Sequence, residues 1–178
     1  TTEGTSMADD DFFANEISTT ISDATAGDGR IEYVANDGEI TVLKAKTPFQ
    51  TGDVIDATVM RASTLQSFLS SEVADATAKN VLFSMHVKAT MMKISDPIIF
   101  GHTVYTFFRD VYDKHATAFA ELGIDPDNGV GDIANKIQSL PSDQKAEIKA
   151  DLAACMEKNA DLYMVNSDRG ISGLHVPS

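Results

Sequence analysis

Val81-Leu82-Phe83-Ser84-Met85-His86-Val87-Lys88-Ala89-Thr90-Met91-Met92-Lys93-Ile94-Ser95-Asp96-Pro97-Ile98-Ile99-Phe100-Gly101-His102 is the stretch on which the reading of this 178-residue chain turns. Val81, Phe83, Met85 and Val87 alternate with Ser84, His86 and Lys88, so residues 81–88 read as a strand with one apolar and one polar face. Ser95-Asp96-Pro97 then opens a helix: Asp96 is expected to cap free backbone N–H groups, and Pro97 suits the first helical position. A strand that delivers a lysine at its end, among small and polar residues and just before a capped helix, presents a cation to a ligand. Lys88 is the lysine so presented.

Downstream, Val104, Phe108, Val111, His115, Phe119 and Leu122 recur at three- and four-residue steps, predicting one long helix that Gly123 stops. His115 lies on that apolar stripe and reads as a satisfied core histidine rather than a ligand. A helix is expected over 132–140 and another from a Ser142 cap, with Ile148, Leu152, Cys155 and Met156 facing inward. Residues 162–165 read as a short strand entering a polar turn. Upstream, runs 31–35 and 40–43 flank Asn36-Asp37-Gly38, a hairpin signature, and 54–60 reads as another strand. Ser63 and Gln66 have capping-box spacing ahead of a helix burying Leu65, Phe68, Leu69, Val73 and Ala76. The order of elements predicts an α/β protein, a mixed twisted sheet with packed helices.

Fourteen Lys and Arg against 27 Asp and Glu leave a net charge of -13, a poor field for nucleic acid or an anionic membrane surface. No run is apolar enough to predict a membrane span, and the start lacks the pattern of a secretion signal. The single cysteine, Cys155, excludes an internal disulfide and suits a reducing cytoplasm. Seven acids and one base place residues 1–30 apart as a loosely ordered acidic extension that Phe12, Phe13 and Ile17 could tie down, with 31–178 as the α/β segment. Residues 81–115 are the one long stretch that is not acidic, carrying Lys88, Lys93, Arg109, Lys114 and three of the four histidines, and would suit an anionic ligand.

Two motifs fail on their surroundings. Gly129-Val130-Gly131-Asp132-Ile133-Ala134 matches a dinucleotide fingerprint in form, but a Pro-Asp-Asn turn precedes it where a strand is required. Asp125 to Gly129 begins like a calcium loop, yet its twelfth position is Lys136 where a bidentate Glu is needed.

The run His86-Val87-Lys88-Ala89-Thr90-Met91-Met92-Lys93 with Asp96 to His102 closely resembles the monomeric class of NADP-dependent isocitrate dehydrogenase. Gly52-Asp53-Val54-Ile55-Asp56-Ala57, Phe119-Ala120-Glu121-Leu122-Gly123 and Met164-Val165-Asn166-Ser167-Asp168 extend the likeness from about residue 7 to 178. The resemblance implies an isocitrate/isopropylmalate dehydrogenase-like fold, seen here as a partial domain. It also implies oxidative decarboxylation of isocitrate to 2-oxoglutarate with NADP and Mg or Mn, by a parent that is a monomer in the cytoplasm. The family's catalytic lysine matches Lys88, and Lys93 is the runner-up. Family chains are far longer, so the resemblance places the substrate-holding Ser/Asn/Arg cluster upstream and the metal ligands, catalytic Tyr and most NADP contacts beyond Ser178. No cofactor or metal ligand is expected within this segment, which is expected to be inactive alone. The alternative is a naturally short, non-catalytic module that binds a tricarboxylate through Lys88, His86 and Lys93; self-association of the segment is left open.

Overall fold

A computed structural model describes residues 4–87 and 92–162. Lys88 lies outside the described residues, as do the polar turn near 166–170 and all but the first residue of the strand expected at 162–165. The protein mixes helix and strand in two units, one of Ala8–Met60 and one of Thr1–Met7 with Arg61–Ser178.

The Ala8–Met60 unit holds β1 (Ile17–Thr20), β2 (Gly27–Val34), β3 (Ile40–Phe49) and β4 (Val54–Ala57). β2 and β3 form the antiparallel hairpin that the Asn-Asp-Gly turn predicts, with Val34 opposite Ile40 and Tyr33 opposite Thr41. Gly38 takes φ 87°, a conformation costly for any residue with a Cβ, and the Ala35 N–H closes the turn on the Glu39 carbonyl at 2.8 Å. Pairing runs on past register shifts around Ile31 to Gly27 opposite Phe49, so both strands are longer than the apolar pattern suggests. β1 pairs antiparallel with β4, Thr20 opposite Val54.

The boundary expected at 30/31 falls inside β2. Acidic composition reports solvation of side chains and is silent on backbone pairing, which is what orders residues 17–20 and 27–30. The side chains read as anchors are exposed, Phe13 by 86% and Ile17 by 74%. In place of one mixed sheet, the described residues form two two-stranded antiparallel sheets and an isolated parallel bridge between Phe83 and Leu162. Sequence order tells which segments are extended, but partners are chosen in three dimensions.

In the second unit, α1 (Ala62–Lys79) buries Leu65, Leu69, Val73 and Ala76, the expected face. Its N-cap is Arg61 and not Ser63, and Gln66 leaves the helix start to meet His102 Nδ1 across its Nε2 at 3.0 Å. Asn80 in the left-handed region ends the helix, and the Val81 N–H returns to the Ala76 carbonyl at 3.0 Å. α2 (Ser95–Phe107) has Ile94 at its N-cap, so Asp96 sits within the first turn, where its charge faces the positive end of the helix dipole.

The long helix predicted after α2 is broken into α3 (Arg109–Lys114) and α4 (Ala116–Glu121). Phe108 (φ -104°, ψ 25°) and His115 (φ -106°, ψ 21°) leave helical geometry for one residue each. Bonds from Tyr112 N–H to the Phe108 carbonyl and from Phe119 N–H to the His115 carbonyl resume the ladder, so the apolar stripe keeps its period and hides the breaks. At the first break, Val111 N–H bonds the Phe108 carbonyl, and the Phe107 carbonyl accepts instead from Cys155 Sγ at 3.1 Å and Asn159 Nδ2 at 3.2 Å.

Those partners belong to and follow α6 (Ser142–Lys158), which comes after α5 (Val130–Lys136) and a 3-10 turn at Ile137–Ser139. Pro141, not Ser142, is the α6 N-cap, and Met156, expected inward, is exposed because it stands about 100° around the helix from buried Cys155. Phe108, Val111, Ile133, Ile137 and Ile148 are almost wholly buried in one core, each worth about 1.5–3 kcal/mol. Tyr112 and Phe119 meet edge to face at 5.2 Å. Gly101 lets α2 approach the Pro126–Asn128 turn, since a Cβ there would fall 1.8 Å from Asp127 Oδ1. Beyond α6, Ala160 N–H reaches Thr77 Oγ1 at 2.9 Å and Phe83 N–H reaches the Asp161 carbonyl at 2.8 Å. Among the described residues no helix is long and apolar enough to cross a membrane.

Replacing Asn159 by Ala removes a donor from the Phe107 carbonyl and is expected to cost about 1–2 kcal/mol, measured as a lower urea midpoint at unchanged slope.

Candidate functional site

The extended segment from Phe83 to Val87 is carried beside α2 by the Phe83–Leu162 bridge, and between them lies a cavity of about 260 Å³. Ser84, Met85 and His86 line it from the segment, and Phe100, Thr103 and Phe107 from α2. Ser84 Oγ and His86 Nε2 lie 2.5 Å apart, the same-side placement of i and i+2 that a strand dictates. The Thr103 hydroxyl faces the Met85 sulfur and lies 3.2 Å from the Ile99 carbonyl. The result is a mostly apolar chamber with a hydroxyl–imidazole pair among its lining, able to bury an apolar body and hydrogen-bond a polar tip.

Of the three residues singled out by sequence, His86 lines this cavity, whereas Lys93 is exposed in the turn before α2 and is not part of the lining. Lys88 follows Val87 directly and lies outside the described residues. The rest of the cationic stretch is dispersed onto other partners. Arg109 stacks over the Tyr105 ring at 5.8 Å and donates to Ser70 Oγ. Lys114 bonds Asp151 at 2.7 Å and Glu147 at 2.9 Å, and His102 meets Gln66. His115 is satisfied as expected: its Nε2 lies 2.7 Å from Asp151 Oδ2, and its ring stacks on Phe119. Cys155 is an inert core thiol, since burial, with the Asp110 charge adding to it, pushes its pKa up.

Sequence reasoning missed the contribution of α2. Phe100, Thr103, Val104 and Phe107 stand at three- and four-residue spacing, a pattern that marks a buried face without saying whether it packs solid or borders a cavity.

Among the described residues the cavity lining has no carboxylate, so those residues do not fit a hard divalent cation such as Mg or Mn. The one group of three metal-capable side chains found among the described residues is His115, Glu147 and Asp151, away from the cavity and already bridged by the Lys114 ammonium. A 3-10 turn, not a strand, precedes Gly129, so the described residues do not form a dinucleotide cradle there either.

Fold and cavity together define a mixed helix-and-strand protein whose extended segment edges an apolar chamber. The monomeric isocitrate dehydrogenase family model matches residues 1–178, and the chain belongs to that family. It is 49% identical to the NADP isocitrate dehydrogenase 2 of Colwellia maris, 45% to the NADP isocitrate dehydrogenase of Azotobacter vinelandii and 45% to the NADP isocitrate dehydrogenase 2 of Mycobacterium tuberculosis. Each match covers 97% of this chain, which spans 23% of the length of those relatives.

Hydrogen bonds from Lys114 and then His115 hold the Asp151 carboxyl below its usual value of 3.8. A carboxyl lowered in the folded state stabilises the fold fully above its unfolded pKa and loses that contribution as pH falls through the folded value. The stability gap between the native chain and Asp151→Asn is therefore expected to be constant near neutrality and to close below pH 3.8 in acid-titration melts.

Proposed function

We propose that this chain is the segment of an NADP-dependent isocitrate dehydrogenase that supplies the catalytic lysine, Lys88, for oxidative decarboxylation of isocitrate to 2-oxoglutarate. The observation that carries the reading is the identity of 45–49% along nearly the whole chain to enzymes of that name, joined to the His86-Val87-Lys88-Ala89-Thr90-Met91-Met92-Lys93 run. The parent has the isocitrate/isopropylmalate dehydrogenase-like fold, acts as a single polypeptide in the cytoplasm and uses Mg or Mn. Lys88 Nζ carries a proton to or from the substrate, with His86 and Ser84 near it in sequence and Lys93 contributing positive charge for a tricarboxylate. NADP, the metal and the rest of the substrate are held by residues of the parent outside this segment. The isolated chain, if it self-associates, does so without completing the site.

Two outcomes follow. The purified 178-residue chain is expected to form no NADPH from isocitrate, NADP and Mn; turnover by it alone would overturn the assignment of the remaining ligands to other parts of the parent. In the parent, Lys88→Met is expected to lower kcat by about 10²–10⁴ with an unchanged melting temperature, and near-native kcat would show the lysine to be misassigned.

A further inference from the structure

The Ala8–Met60 unit has too little core to account for its own order. Ile21 is the one large apolar side chain it contributes to the buried set among the described residues. The β2–β3 hairpin meanwhile carries apolar residues on both faces. Val34, paired with Ile40, stands with Val42 on one face; Tyr33, paired with Thr41, stands with Leu43 on the other. These side chains are 48–65% exposed. Strands that meet water on one side alternate apolar with polar, whereas strands covered on both sides are apolar throughout. A lone two-stranded hairpin is marginally stable in water, and its outer edges leave backbone N–H and C=O groups open to another strand.

We propose that the β2–β3 hairpin is the docking surface for strand-forming polypeptide from the remainder of the parent enzyme, which adds to the β3 edge and continues over the face that carries Leu43. This rests on reading the chain as a segment of a longer dehydrogenase. The relatives supply the length for such a partner, since this chain spans 23% of them. A second copy of the chain is the weaker occupant, because two chains of net charge -13 repel one another on approach.

Hydrogen exchange at the β3 amides, compared between the 178-residue chain and the product of its native gene, tests the inference. The longer product is expected to slow exchange at Thr41 to Leu43 by at least about tenfold. Leu43→Lys is expected to lower the melting temperature of the longer product while leaving that of the 178-residue chain unchanged, because Leu43 is exposed there. Equal exchange in the two proteins, or an equal effect of Leu43→Lys on both, overturns the docking surface and leaves the segment reading intact. A native product of 19.1 kDa overturns both. A dimer of the 178-residue chain that Leu43→Lys dissolves assigns the hairpin to a second copy and overturns the proposal.

Discussion

The carbonyl oxygen of Phe107 is the point on which the described part of the site depends. A helix that relaxes at Phe108 turns this acceptor away from its own ladder, and burial makes an unpaired carbonyl costly. Cys155 and Asn159 satisfy it from the side, which fixes the end of α6 against the α2–α3 break. From there residues 160–162 are held by Thr77 and by the strand bridge to Phe83, and the bridge sets the position of Ser84 and His86 at the cavity. One backbone group is thus linked through the end of α6 and the Phe83–Leu162 bridge to the segment that leads into Lys88.

Cation placement shows the same economy. Arg109 and Lys114, two of the bases that make residues 81–115 locally cationic, are drawn into a ring contact and an ion pair, and His115 joins Asp151 and Lys114 in a network that ties the α3–α4 break to α6. Linear clustering of charge therefore overstates clustering in space: residues on a helix point in all directions, so Arg109 turns to Tyr105 and Ser70 while Lys114 turns to Glu147 and Asp151. What remains near the cavity is the short polar face of the extended segment.

Much of the fold was legible. Alternation and the Asn-Asp-Gly turn marked the hairpin, and the apolar faces of α1 and α6 were readable except at Met156. Caps were less legible, because Ser63, Asp96 and Ser142 are good cap residues that lie one or two positions inside their helices, where packing of the helix body sets the boundary. The pairing of residues 17–20 with 54–57 was not legible, because charge composition does not report strand pairing. In the site, His86 was legible from strand alternation, whereas the wall supplied by α2 was not.

By itself the sequence determined the family, through a specific run around Lys88 and likeness along the whole chain, because local identity is a property of order alone. It likewise marked the β2–β3 hairpin and the buried faces of α1 and α6, since the period of apolar side chains is written along the chain. Only the tertiary structure decided which strands pair, where the long helix breaks, and that Lys93 stands apart from the cavity that His86 lines. Those outcomes depend on satisfying buried polar groups such as the Phe107 carbonyl with partners about fifty residues away, and no local pattern encodes such a pairing.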